Sequence, residues 1–134
     1  MSQENVKALQ RLYEAWGVGD FGVGLDVLDT NVTYVVRAPF PEPAVLVGAA
    51  AISDYMRRFH EQFERRSHMI KADRFRVAGD TVVVDVTQQA TGRTSGITAE
   101  VSFFTLFTFR GGKIIRFESI LDEHEALEAA GLSE

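Results

Sequence analysis

Val6, Leu9, Tyr13 and Trp16 recur at helical spacing, with Leu12 widening the stripe, so the chain should open with a helix that has one apolar face. Ser2 can cap it, and Gly17-Val18-Gly19-Asp20 should end it. Asp20 then stands where it would cap a short second helix carrying Leu25 and Leu28. From Asn31 to Arg37 the residues turn β-branched and aromatic, which predicts a strand. Pro39, Pro41 and Pro43 make the next stretch a loop or sheet edge, and Ala44 to Val47 suits a short edge strand. Gly48 precedes a third helix with Ile52, Tyr55, Met56, Phe59 and Phe63 on one side.

The second half reads as strand. Met69 to Ala78 and Thr81 to Gln89 flank Gly79-Asp80, while Ile97 to Arg110 and Lys113 to Leu121 flank Gly111-Gly112. Both dipeptides signal two-residue hairpins. A tail helix from Glu123 to Ala130 should stop at Gly131. Helices and strands are segregated along the chain, which predicts an α+β fold.

Two-residue turns fix register, and register fixes faces. Around Gly79-Asp80, Val77 pairs Val82 and Phe75 pairs Val84, an apolar face that should meet the helices. The other face pairs Arg76 with Val83 and Arg74 with Asp85, so the Asp85 carboxylate reads as a cross-strand ion pair. Around Gly111-Gly112, one face pairs Thr108 with Ile115, Leu106 with Phe117 and Phe104 with Ser119. The other pairs Phe109 with Ile114, Phe107 with Arg116 and Thr105 with Glu118. Aromatics on both faces imply that both are covered. The first face is expected to line a pocket. The face with Phe103, Phe107 and Phe109 is expected to be covered by a second copy of the chain.

Composition narrows the chemistry. The 134 residues suit one domain, 1–134, without linker or repeat. No cysteine is present, which removes disulfides, thiolate metal sites and cysteine nucleophiles. His60, His68 and His124 show no metal-ligand spacing, so neither metal nor cofactor is expected. A net charge of −5 argues against nucleic acid. No apolar run is long enough to span a bilayer, no secretory leader is visible, and a cytoplasmic location is expected.

Several segments together resemble the SnoaL-like proteins of the nuclear transport factor 2-like superfamily. They are Tyr13-Glu14-Ala15-Trp16 with Gly19-Asp20, Leu28-Asp29 before Thr33-Tyr34, Gly48 with Ile52 and Phe59, the hairpin Thr108 to Ile114, and Leu121-Asp122. The resemblance implies a cone: a curved mixed or antiparallel sheet with about three helices from the N-terminal half on its concave face. It also implies a homodimer and an apolar pocket for a small apolar or amphipathic molecule. Members include cyclases, isomerases, dehydratases, epoxide hydrolases and non-enzymatic association modules, so the fold leaves the function open.

The residues argue against the best-known chemistries of such proteins. Ketosteroid isomerases use an aspartate base with a tyrosine and a protonated aspartate as oxyanion hole. Aligned on Gly19-Asp20, the tyrosine position falls on Leu12, one residue before Tyr13, and the base position falls near Val36. The acid/base pair on the last strand of SnoaL-type cyclases falls on Phe117 and Ser119. An epoxide hydrolase would need a carboxylate pair held by an arginine, and the spacing of Arg37, Asp85 and Glu100 supports none. The expected pocket walls are Tyr13, Trp16, Tyr34, Tyr55 and Phe59 from the first half. Gln88, Phe104, Leu106, Phe117 and Ser119 complete them from the strands. A Tyr13 or Tyr34 hydroxyl should reach the pocket, His60 is the histidine nearest its mouth, and no general base is assigned.

Overall fold

The computed structural model describes residues 2–22, 24–40 and 42–132. A six-stranded mixed sheet of order β2-β1-β6-β5-β4-β3 forms the body. Its strands are β1 (Leu28–Val36), β2 (Ala44–Val47), β3 (Met69–Ala78), β4 (Thr81–Thr91), β5 (Thr98–Arg110) and β6 (Lys113–Ile120). β1 runs parallel to β6 and all other neighbours are antiparallel. Two helices, α1 (Ser2–Gly17) and α2 (Ala49–His60), cover one face. The third, α3 (Glu123–Ala130), covers part of the opposite face. The segregated α+β architecture predicted from the pattern is therefore present. Of the three helices expected from the N-terminal half, the middle one is short, and its Leu25 and Val27 pack on the same core. Leu25–Val27 makes only a single 3-10 turn, and Leu28 already belongs to β1. Asp20 accepts a hydrogen bond from the Gly22 amide at 3.2 Å, closing a turn instead of capping a helix.

α3 shows both end signals at work. The Asp122 side chain accepts from the Glu125 amide at 2.9 Å. Gly131 sits at φ 79°, and the Leu132 amide returns to the Leu127 carbonyl at 2.8 Å. This closure needs a residue that tolerates the left-handed region. The helix buries Ala126 and Leu127, and Ala126 joins Val83, Leu106 and Ile120 in a small outer cluster.

The first hairpin has the predicted register, with Val77 opposite Val82, Phe75 opposite Val84 and Arg74 opposite Asp85. Asp85 pairs with Arg74 at 3.1 Å and with Arg76 at 2.7 Å, away from the main core. The second hairpin begins as predicted, with Arg110 opposite Lys113 and Phe109 opposite Ile114, and then slips. Thr108 pairs Arg116, leaving Ile115 as an extra residue in β6. A bulge of this kind exchanges the faces beyond it.

Beyond the bulge Phe107 lies opposite Phe117, Thr105 opposite Ser119 and Phe104 opposite Ile120. The expected pairs Leu106–Phe117 and Phe104–Ser119 are therefore corrected. Phe117 and Ser119 do face the helices, but Phe104 and Leu106 belong to the outer face beneath α3. Phe103, Phe107 and Phe109 are likewise corrected. They lie inward, at most 4% exposed within a single chain, and no second copy is required to cover them.

Candidate functional site

The concave face is built in rungs across the sheet. Tyr34, Phe117, Phe107 and Val82 form one, followed by Ser119, Thr105 and Val84, then Phe103 and Val86, then Val101, Gln88 and Ile70. Aromatic rings fill the middle. Phe117 stacks on Tyr34 with centroids 4.3 Å apart and on Phe107 at 5.1 Å. Tyr13 from α1 meets Phe107 edge-on at 6.1 Å and Trp16 at 5.2 Å. Tyr55 and Phe59 from α2 stack on each other one turn apart, and Phe59 meets Phe40 of the proline loop.

Between this floor and the helices lies a small cavity. About 50 Å³ of it is open to the centres of solvent-sized molecules. Seven of the expected wall residues border it: Tyr13, Trp16, Tyr34, Tyr55, Phe59, Gln88 and Phe117. Phe21, Phe40, Met56, Ile70, Val86, Phe103 and His68 border it as well, and the sequence reading had placed none of them there. Ser119 lies just beyond, fully buried, with its Oγ 3.1 Å from the Tyr34 hydroxyl. Tyr55 and Phe59 also border a surface groove with Glu42, Arg58 and Gln62, so these two rings separate the cavity from solvent.

The ionisable groups sort by face. Among the described residues, no Asp or Glu borders the cavity. Arg37 pairs with Glu118 and Glu125, which holds its charge and raises its pKa, and Glu100 is exposed. No group of three or more His, Asp or Glu among the described residues could hold a metal ion. The Tyr13 and Tyr34 hydroxyls are pushed well above the usual phenol range, chiefly by burial. Hydrogen bonds with Thr105 and Ser119 offset this only in part. Both therefore remain neutral hydroxyls at physiological pH, able to donate but not to act as bases.

His68 is the group that the sequence reading missed. It sits just before β3 and is 5% exposed. Its Nδ1 lies 2.8 Å from His60 Nδ1 at the end of α2, and its Nε2 is buried with no hydrogen-bond partner. Burial first, and the neighbouring His60 second, push its pKa down from 6.5 to about 4. His68 is thus a neutral imidazole near pH 7. His60, the histidine expected at the mouth, is half-buried behind it and does not border the cavity. A signal existed: Ala72 and Ile70 are inward residues of β3, and counting back two more positions reaches His68.

The Tyr34–Ser119 bond gives a direct check on this geometry. Tyr34→Phe should lower stability by about 1 kcal/mol in urea unfolding, because Ser119 loses its partner inside the core. Adding Ser119→Ala should then cost less than it does in the wild-type background. Strict additivity of the two changes would show that the hydroxyls do not interact.

Comparison with known proteins agrees with the fold. An NTF2-like protein of unknown function from Burkholderia pseudomallei superposes with a TM-score of 0.76 at 21% identity, over 93% of this chain and 95% of that one. A protein of ketosteroid isomerase-like fold from Catenulispora acidiphila, in complex with trimethylamine, gives 0.74 at 20% identity over 93% and 92%. TerC, co-crystallised with polyporic acid, gives 0.75 at 23% identity over 96% and 98%. Among curated proteins no sequence matches this chain. The profile of the SnoaL-like domain matches residues 9–117, most of the chain, and the protein belongs to the SnoaL-like domain family.

Proposed function

We propose that this protein binds a small, mainly apolar organic molecule bearing a hydrogen-bonding oxygen, in the cavity between the sheet and helices α1 and α2. One observation carries the reading: His68, whose buried Nε2 has no partner, borders a cavity otherwise walled mostly by aromatic rings. An unpaired buried polar atom costs about 1–3 kcal/mol, and a ligand oxygen or a bound water would relieve that cost. Apolar walls with a few polar groups are the usual makeup of small-molecule sites. The small organic molecules held by two proteins of this fold support the same class of ligand. Proton transfer on such a ligand is the reaction class that the isomerases and cyclases of the family suggest.

A second reading has its own support. With only about 50 Å³ open, the cone is close to filled, as expected of an association module that binds nothing inside. The two readings separate in one titration. Trp16 is the single tryptophan and borders the cavity, so its indole N–H gives a unique signal in a nitrogen-15 NMR spectrum. Adding cyclopentanone, a compact ring with one oxygen, should shift that signal saturably, and His68→Phe should weaken the effect. No saturable shift in the wild type would favour the filled module.

A further inference from the structure

We propose that His68 and His60 form a two-ring proton relay between the cavity and solvent, with His68 as the acid–base group for a bound carbonyl compound that has an exchangeable proton beside its carbonyl. The inference rests on the ligand-binding reading above and adds a reaction to it.

The geometry is continuous from inside to outside. His68 Nε2 is the inner terminus, interior and unpartnered. The two Nδ1 atoms, 2.8 Å apart, form the link. One must donate and the other accept, so the tautomer of one neutral ring sets that of the other. His60 Nε2 is the outer terminus. It lies only 2.9 Å from where a Cβ on residue 19 would stand, and residue 19 is a glycine at φ 80°. Any side chain there would cover this nitrogen. No other group at the cavity offers a base: among the described residues it has no carboxylate border, and Tyr13, Tyr34 and Tyr55 all have raised pKa values.

The protons balance. The tautomer with Nε2–H on His68 hydrogen-bonds a ligand oxygen. In the other, which accepts the ligand's proton, His68 carries its proton on Nδ1 and His60 on Nε2. The bound ketone gives its α-proton to His68 Nε2, and the C–H electron pair stays on the ligand as an enolate. The Nδ1 proton of His68 passes to His60 Nδ1, and His60 releases its Nε2 proton to water. Both rings end neutral with their tautomers exchanged. Reversal takes a proton from water at His60 Nε2 and returns one to the ligand carbon, so the net result is exchange of the ligand's α-hydrogen with solvent. A neutral relay leaves no lasting charge on His68, whose surroundings disfavour an imidazolium.

The test incubates the intact protein with cyclopentanone in heavy water and follows α-deuteration by proton NMR. Wild type should exceed free imidazole at equal concentration by on the order of 100-fold, the lower end for a positioned acid–base group. His68→Gln should abolish the excess. His60→Gln keeps a hydrogen-bonding side chain but cannot pass the proton on. It should slow exchange about tenfold or more, within the range of acid–base effects, while the Trp16 titration stays as in wild type. Binding without accelerated exchange, or His60→Gln exchanging at the wild-type rate, overturns the relay and leaves the binding site standing. No binding at all overturns both. Should either variant fail to fold, wild-type histidine nitrogen shifts decide: two fixed tautomers, unmoved by cyclopentanone, would rule the relay out.

Discussion

Phe117→Ala is expected to destabilise the protein by about 3–5 kcal/mol, the usual cost of emptying a buried aromatic site. For a chain of this size that corresponds to a fall in Tm of roughly 10–20 °C. Phe117 is 1% exposed and stacks on both Tyr34 and Phe107. Its ring also sits 6.2 Å from that of Trp16. Alanine would remove the middle of that stack, and the strands on either side are too well tied to collapse into the space. Phe117→Leu retains most of the volume and should cost less than half as much. Urea unfolding of the three proteins at one pH makes the comparison. A loss below about 1 kcal/mol for alanine would mean that the stack is not packed as described. The result bears on function, because this position resembles the one at which SnoaL-type cyclases keep acid/base chemistry. Here it serves as core.

The second large effect is loss of stability in mild acid. His68 has a folded pKa of about 4 against 6.5 for an ordinary histidine. Between these values the unfolded chain binds a proton that the folded chain refuses, so stability falls as pH falls. The contribution is complete above pH 6.5 and gone below about 4. At 1.36 kcal/mol per pH unit it amounts to at most about 3 kcal/mol. His60, whose Nδ1 lies 2.8 Å from that of His68, is the second cause of the depression after burial. Carboxylates titrate in part of the same window, so the informative quantity is a difference. Wild type and His68→Phe, unfolded in urea at pH 7 and pH 4.5, should diverge, with the variant keeping more of its stability in acid. Parallel losses would show that His68 is not buried as a neutral ring.

The sequence showed the local devices and missed the long-range ones. Gly79-Asp80 and Gly111-Gly112 announced both hairpins, and the first register followed without error because nothing interrupts β3 and β4 between Phe75 and Val84. The bulge at Ile115 has no such marker: no glycine, and no break in the apolar pattern. Its effect, exchanging Phe104 and Leu106 for Phe103, Thr105 and Phe107 on the inner face, was therefore invisible to period-two reasoning. Phe117 and Ser119 were placed on the correct face only because the miscount affected their partners and not them. The helix around Leu25 is cut to one 3-10 turn for a similar cause, since strand pairing of Leu28 with Ile114 overrides a weak helical pattern. The histidine pair was out of reach for another reason. His60 ends a helix and His68 precedes a strand. The turn between them runs through Arg66 at φ 66°, a conformation that an arginine does not advertise.

The extra residue in β6 has a consequence for redesign. An engineer wishing to install a carboxylate in this cone, reading the hairpin by simple alternation, would choose Leu106 or Phe104 and place a charge under α3. The bulge redirects that choice to Thr105. Thr105 faces Ser119 across the strand pair, hydrogen-bonds Tyr13, and lies one rung from the aromatic stack. Deleting Ile115 would only regularise the ladder, because Phe117 would still meet Phe107 and Ser119 would still meet Thr105, so the inward pair on β6 would survive loss of the bulge.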